Sequence, residues 1–204
     1  MIVSFNFYYA RAGLEDAVLQ QRLRACEVRE RLGIVRGRVL ERTAAAADLP
    51  DVIWEQRFDD VSGHHADMAV RAASAEFEGV RAGMRKLCRR FERPLFEICG
   101  NDAAPVRDST LPGGAVTLDW IFCTPQQTAA LLSLLQAHVA GDAAGHAGAG
   151  RLLRLITPGD DLPELVWQRE QDARAAAMPG AASALPSEAA ALAHRVEHTA
   201  WRLV

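Results

Sequence analysis

An internal repeat constrains the fold of this 204-residue chain more than any other feature. One shift of 113 residues aligns three separated blocks without a gap: residues 3–9 with 116–122, 37–40 with 150–153, and 48–54 with 161–167. Both copies of the third block end in tryptophan, at Trp54 and Trp167. Toward the end of each copy the shift falls to 105, so the second copy is about eight residues shorter. Because one register holds across separate elements, the sequence predicts a tandem duplication.

Each copy has the pattern of a β-α-β-β-α-β unit, since alternation indicates strands and helical spacing of apolar residues indicates helices. The first copy has predicted strands at 3–10, 38–43, 52–58 and 94–98 and helices at 13–32 and 64–92. The second has strands at 116–123, 151–156, 165–171 and 200–204 and helices at 126–140 and 187–198. Its last helix is shortened because prolines interrupt the preceding segment. We predict a first repeat at 1–98, a linker at 99–115 and a second repeat at 116–204.

This element order is the ferredoxin-like arrangement, an antiparallel sheet with both helices on one face. Both phases of the first strand are largely apolar, so its second face also needs a cover. We therefore predict an α+β fold of two ferredoxin-like repeats, with antiparallel sheets packed face to face as a single-chain pseudo-dimeric α+β barrel. A 17-residue linker also permits exchange between chains, so a monomeric pseudo-dimer and a homodimer remain alternatives.

Composition narrows the classes of partner. A net charge of −3 and a pI near 6.1 give no overall electrostatic attraction to nucleic acid or to an anionic membrane. No apolar run reaches the length of a membrane span, and no cationic leader precedes the first strand. The four cysteines are scattered without metal-ligand spacing. These patterns predict a cytoplasmic protein, compatible with a bacterial source, that has no nucleic-acid or membrane partner.

The element order, Trp54 near the end of the third strand and His64-His65 at the start of the second helix resemble the dimeric α+β barrel superfamily, which includes the antibiotic-biosynthesis monooxygenases. Residues 89–93, Arg-Arg-Phe-Glu-Arg, are also similar to the ending of short bacterial proteins of this shape that have no assigned activity. The resemblance implies a small-molecule enzyme or binder. It does not select a reaction, because the superfamily contains oxygenases, isomerases, dehydratases, haem enzymes and proteins without known activity.

Five residues of the first copy are the candidate site residues. Asn6, His64 and His65 are the catalytic candidates: a mid-strand amide can orient a substrate oxygen, and a histidine beside a pocket can act as a base. Trp54 and Tyr8 are the ligand-binding candidates. Simpler roles compete with each assignment, because the amide can reach a backbone group, the tryptophan can serve packing, and histidines at a helix start are often exposed.

Two functional hypotheses follow. The first is a small-molecule-binding protein or cofactor-independent enzyme, of oxygenase or isomerase type, with one pocket in the first repeat. The second repeat has Ala177 and Met178 where the first has its two histidines, which favours an asymmetric site. No metal and no cofactor are predicted, with haem bound by His64 or His65 as the alternative. The second hypothesis is a non-catalytic structural or protein-interaction module, favoured by the near-symmetry of the tryptophans.

Overall fold

The computed structural model describes residues 1–43, 48–99, 114–142, 150–157, 159, 161–171 and 185–204. These residues form an α+β structure with antiparallel strands. The chain divides into two compact units, the first comprising residues 1–95 with Val204 and the second comprising residues 96–203. No helix of the described part is long and apolar enough to cross a membrane. All four cysteines are free thiols.

The first unit contains a four-stranded antiparallel sheet. Its strands are β1 (Ile2–Ala10), β2 (Arg38–Arg42), β3 (Val52–Phe58) and β4 (Cys88–Glu92). Their spatial order is β2-β3-β1-β4, so β1 lies in the interior of the sheet. In this register Asn6 lies opposite Trp54, and Phe7 lies opposite Glu92. All nine residues of β1 are buried, in agreement with the apolar character of both its phases.

Three helices pack on one face of this sheet: α1 (Glu15–Arg31), α2 (Val61–Ala72) and α3 (Ala75–Leu87). Glu15 and Asp16 suit the amino end of α1, where the helix dipole favours negative charge. The main core joins strand and helix residues around Trp54. It is formed by Tyr8, Ala10, Val18, Leu19, Cys26, Val39, Val52, Trp54, Met84 and Cys88.

The continuous second helix predicted at 64–92 is wrong in two respects. The segment breaks after Ala72, where the Ser74 side chain accepts a hydrogen bond from the backbone N–H of Phe77 and caps a new helix. Residues 88–92 then form β4 beside β1 instead of a further helical turn. The edge position of this strand explains its charged sequence, because one side of an edge strand remains unpaired and tolerates arginine and glutamate.

The sheet of the second unit has five antiparallel strands, the first of which starts one residue before the unit does. They are β5 (Leu95–Cys99), β6 (Ala115–Phe122), β7 (Gly150–Leu155), β8 (Leu165–Gln171) and β9 (Arg195–Leu203). Their order is β5-β7-β8-β6-β9. Helices α4 (Pro125–Asp142) and α5 (Ser187–Leu192) accompany this sheet. Leucines of α4 pack with Trp167 and Ile121 in the core of the unit.

The helix predicted at 187–198 ends early, at Leu192, and residues 195–198 belong to β9. Cross-strand pairing with β6 over eight residue pairs decides this, since each pair adds ladder hydrogen bonds. The predicted interruption around Pro179-Gly180 and most of the predicted linker lie outside the described residues.

Each unit brings a glycine against its tryptophan. A Cβ atom at Gly37 would overlap the indole nitrogen of Trp54, and a Cβ atom at Gly150 would overlap that of Trp167. Gly37 also has a φ of 75°, a value that glycine adopts without strain. The close approach accounts for glycine at these two positions.

Candidate functional site

A cavity of about 110 Å³ lies between the sheet and the helices of the first unit. Strands β1 and β4 supply one side, and helices α1, α2 and α3 supply the other. Its lining comprises Asn6, Tyr8, Arg22, Ala25, Arg71, Phe77, Val80, Arg81, Met84, Arg85, Cys88, Phe91 and Arg93. Five of these side chains are arginines and none is a carboxylate, so the wall is strongly positive.

The polar floor of the cavity is a hydrogen-bonded group of three buried residues. The Tyr8 hydroxyl accepts hydrogen bonds from Asn6 Nδ2 and from an Arg22 Nη atom, each at 3.2 Å. Because both lone pairs of the hydroxyl oxygen are then used, its own proton remains available to a ligand. Asn6, Tyr8 and Arg22 are each exposed by 3 to 4%. The group therefore presents hydrogen-bond donors from a desolvated surface.

Arg22 is a buried cation without a carboxylate partner in the described part of the chain. Its two Nη atoms contact the Tyr8 hydroxyl and, at 3.4 Å, the Cys26 sulfur. Its Nε atom is enclosed and has no hydrogen-bond partner. A buried donor left unpaired in this way costs about 1–3 kcal/mol. The buried charge is unfavourable as well, and a negative charge in the cavity would offset that second cost.

The other four arginines of the lining differ in whether a carboxylate neutralises their charge. Arg71 forms an ion pair with Asp67 at 2.7 Å, while Arg81 and Arg85 both contact Glu78. Arg93 is exposed and lies over the Phe91 ring, 4.5 Å from its centroid, without a carboxylate partner among the described residues. Arg22 and Arg93 therefore leave the cavity with uncompensated positive charge.

Trp54 lies beside the cavity and orders the arginines around it. The guanidinium groups of Arg22 and Arg29 stack on its ring, and its indole N–H donates to the Arg36 carbonyl at 3.0 Å. Arg29, fully buried, donates two hydrogen bonds to Asp67, which also pairs with Arg71. Burial lowers the pKa of Arg71 to about 10, with Asp67 opposing the change and Arg29 and Arg93 adding to it. Arg71 nevertheless stays charged at neutral pH.

The structure brings Asn6 and Tyr8 together in the cavity lining and places Trp54 directly opposite Asn6 across β1 and β3. His64 and His65 lie in the first turn of α2, outside that lining. His64 packs edge-on against Phe58, and its Nδ1 atom is enclosed without a partner. Burial lowers the pKa of His64, and the positive charges of Arg71 and His65 lower it further. His65 is exposed.

The lining offers little to a metal ion or to covalent catalysis. No three His, Cys, Asp or Glu side chains converge as metal ligands would within the described ranges. Cys88 is the one thiol of the lining, and burial, helped by Asp51, raises its pKa to about 11. A thiol with this pKa is protonated at neutral pH and is a poor nucleophile.

A second cavity, of about 160 Å³, lies at the amino end of α1. Carboxylates of Glu15, Asp16, Glu41 and Asp51 border it, and Arg42 forms an ion pair with Asp51. Its acidic lining contrasts with the arginine-lined cavity, so the two cavities favour ligands of opposite charge.

The sequence prediction missed the arginines, which come from separate helices and from the end of β4. One signal was present in α1. Val18, Arg22 and Cys26 follow each other at intervals of four residues, and Arg29 lies three residues further, so both arginines fall on the apolar face of the helix. An arginine on such a face points to a buried polar site.

No protein-family model and no curated protein sequence matches the chain. Its structure is similar to solved structures along nearly its full length. An anthrone oxidase-like protein matches with a TM-score of 0.59 and 13% identity, covering 100% of this chain and 91% of that one. A candidate monooxygenase from Fusobacterium nucleatum matches with a TM-score of 0.60 and 8% identity, covering 99% and 91%. A mutant chlorite dismutase from Candidatus Nitrospira defluvii matches with a TM-score of 0.55 and 10% identity, covering 100% and 91%.

These proteins belong to the dimeric α+β barrel superfamily, and at such identities the likeness shows the fold alone. The likeness agrees with the α+β fold class predicted from the element order, and membership of the superfamily stays a prediction.

Proposed function

We propose that the first unit binds a small organic oxyanion in the arginine-lined cavity, as a cofactor-independent enzyme of oxygenase or isomerase type or as a binder of such a compound. The proposal rests on one observation. Arg22, 3% exposed and without a carboxylate partner among the described residues, lines a cavity that no carboxylate borders.

A buried charge is unfavourable unless a partner compensates it. In the first unit, one carboxylate, Asp67, contacts two buried arginines, Arg29 and Arg71, while Arg22 has no acid beside it. A ligand oxyanion in the cavity would provide the missing negative charge beside Arg22. The site is therefore complementary to an anion and not to a cation.

The shape and apolar wall of the cavity favour a small planar compound. The guanidinium groups of Arg71 and Arg81 lie over the Phe77 ring, and that of Arg93 lies over the Phe91 ring. Flat aromatic and guanidinium surfaces therefore alternate along the cavity wall. A volume of about 110 Å³ lies below the roughly 300–1,000 Å³ of sites for drug-sized ligands. We infer a monocyclic or short-chain acid, phenol or enol.

Asn6, Tyr8 and Arg22 can stabilise negative charge that develops on a substrate oxygen. Preorganised donors in a desolvated site are the main device by which enzymes stabilise enolates and phenolates. The lining contains no Asp, Glu or His that could act as an ordinary base. In this proposal the positive charges of the cavity wall lower the pKa of the bound substrate, so its proton passes to water. The names of an oxidase-like and a candidate monooxygenase neighbour support an oxygenase-type reaction of such an anion.

We also propose that the two units are ferredoxin-like repeats produced by tandem duplication. The strand order β2-β3-β1-β4 of the first unit has its counterpart in β7-β8-β6-β9 of the second. Asn6 opposes Trp54 as Asp119 opposes Trp167, and a glycine packs under each tryptophan. The face-to-face pseudo-dimeric barrel and the choice between monomer and homodimer stay predictions.

Isothermal titration calorimetry with benzoate tests the binding proposal, with uncharged benzyl alcohol as the matched ligand. The Arg22→Met variant keeps the length of the side chain and removes its charge. Loss of a charged hydrogen bond worth about 1.5–3 kcal/mol predicts benzoate binding weaker by about 10- to 100-fold. The Arg36→Met variant, which makes the same change at an exposed residue paired with Glu30, should bind as the native chain does.

Equal binding of benzyl alcohol and benzoate would contradict an anion site, as would unchanged binding by Arg22→Met. If short-chain acids, phenols and enols also fail to bind, the non-catalytic structural or protein-interaction module becomes the better account.

A further inference from the structure

The second unit contains a buried carboxylate held between two cationic or ionisable side chains. Asp119, on β6, is fully buried. One of its oxygens lies 2.7 Å from His198 Nδ1, and the other lies 2.9 Å from an Nη atom of Arg169. These partners come from β9 and β8, the strands on either side of β6. Three adjacent strands thus fix one histidine–carboxylate–arginine group.

This group occupies the place in the second unit that the anion-binding group occupies in the first. Asp119 lies opposite Trp167 as Asn6 lies opposite Trp54. In the second unit, His198 lies directly opposite Asp119 in the strand register. In the first unit, Glu92 lies opposite Phe7, which is the neighbour of Asn6, and Arg93 is the next residue after Glu92. An amide and an arginine in one unit are thus replaced by a carboxylate and a histidine in the other.

The geometry assigns the tautomer of the neutral His198 ring. An ionised carboxylate only accepts hydrogen bonds, so Nδ1 donates its proton to Asp119 and the lone pair resides on Nε2. Nε2 makes no hydrogen bond to the described residues, and the side chain is 26% exposed. Arg169, stacked over Trp167, donates a hydrogen bond to the other oxygen of Asp119.

We propose that His198, oriented by Asp119, is a proton-accepting site of the second unit for small uncharged carbon or oxygen acids. Nε2 takes the proton, the electron pair of the broken bond stays on the substrate as an enolate or phenolate, and Asp119 remains ionised while it holds Nδ1–H. Return of the proton at another position completes an isomerisation without an oxidant or a further reactant. Asp119 acts here as a positioning residue.

The test uses 5-nitrobenzisoxazole, which a single base opens. Nε2 removes the ring C–H proton, those electrons form the nitrile, the N–O bond breaks, and the coloured phenolate is released. His198→Gln should lower the second-order rate of the full-length protein at least about tenfold, since a positioned base contributes about 10²–10⁴. His194→Gln, a change at an exposed histidine of the same unit, should leave the rate unchanged.

A second measurement identifies the protonated nitrogen of His198 directly. Nitrogen-15 spectra of the histidine rings in the native protein should show His198 protonated on Nδ1 and unprotonated on Nε2, and Asp119→Asn should shift that tautomer population and slow the reaction. A neutral ring protonated on Nε2, or a rate that His198→Gln leaves unchanged, would overturn the proposal. Neither result bears on anion binding in the first unit, so the two proposals fail separately.

Discussion

The guanidinium carbon of Arg22 lies 4.6 Å from the ring centroid of Trp54, within the distance of a cation–π contact. Arg29 makes a contact of the same length with the same ring. Asp67 neutralises Arg29 but does not contact Arg22. Trp54 therefore stabilises a buried cation that lacks its own counter-ion, which leaves that cation available to a ligand in the cavity.

The first prediction concerns stability without ligand. Replacement of Arg22 by methionine removes an uncompensated buried charge and keeps most of the buried volume. We expect the free energy of unfolding in urea to stay within about 1 kcal/mol of the native value or to rise, because desolvation of the charge opposes its stacking energy. A loss of several kcal/mol would mean that Arg22 is a structural residue and would argue against a ligand-binding role.

The second prediction concerns the Arg29–Asp67 pair, which is buried on both sides. Asp67→Asn leaves two buried arginines, Arg29 and Arg71, without their counter-ion and should lower the free energy of unfolding by about 3–5 kcal/mol. Because Asp67 also pairs with Arg71, the triple change of Arg29→Met, Arg71→Met and Asp67→Leu removes all the charges of the group and should recover most of that loss. Urea unfolding of both variants measures the difference, and equal stability of the two would contradict a compensated buried pair.

The third prediction concerns the glycine beneath Trp54. In Gly37→Ala the added Cβ would overlap the indole and lie 2.9 Å from the Glu55 carbonyl oxygen, at a φ unfavourable for alanine. We expect a loss of about 2–3 kcal/mol in the free energy of unfolding, together with a changed tryptophan emission. Gly79→Ala is the matched control. It lies within α3, where nothing stands within 4 Å of the new Cβ, and it should gain about 0.5–1 kcal/mol.

The fourth prediction concerns pH. Burial, with Arg71 and His65 nearby, lowers the pKa of His64 below the ordinary histidine value of 6.5. As the pH falls through 6.5 the unfolded chain takes up a proton that the folded chain does not, so this histidine makes the fold less stable in acid. His64→Gln should flatten the fall in unfolding free energy below pH 6.5, as measured by urea unfolding at a series of pH values. A steeper fall in His64→Gln would contradict the direction of the shift.

Local pattern accounts for the elements that the sequence predicted well. The strand predicted at 52–58 is observed as Val52–Phe58, because its alternation places Val52 and Trp54 in the core. The break at Ser74 escaped prediction because the flanking alanines and glutamates favour helix, while the capping hydrogen bond acts only once α3 packs on α1.

The candidate site was only partly predictable. Asn6 is an amide within the largely apolar strand β1, Tyr8 follows it on the same phase of that strand, and Trp54 has a repeat mate in Trp167. Arg22, Arg71 and Arg93 lie far apart in the chain, and charged residues at helical spacing usually indicate a solvated face. Only tertiary packing brings these arginines to one cavity. His198 was hidden in the same way, because residues 195–198 have helical composition and pair as a strand with β6.

Nuclear magnetic resonance of the arginine Nε–H groups during a benzoate titration tests the central claim most directly. We predict saturable shifts of the Arg22 and Arg93 resonances, with the Arg36 resonance unmoved and with no response to benzyl alcohol. Shifts confined to exposed arginines, or an Arg22 resonance that does not move while benzoate binds, would contradict an anion site in this cavity.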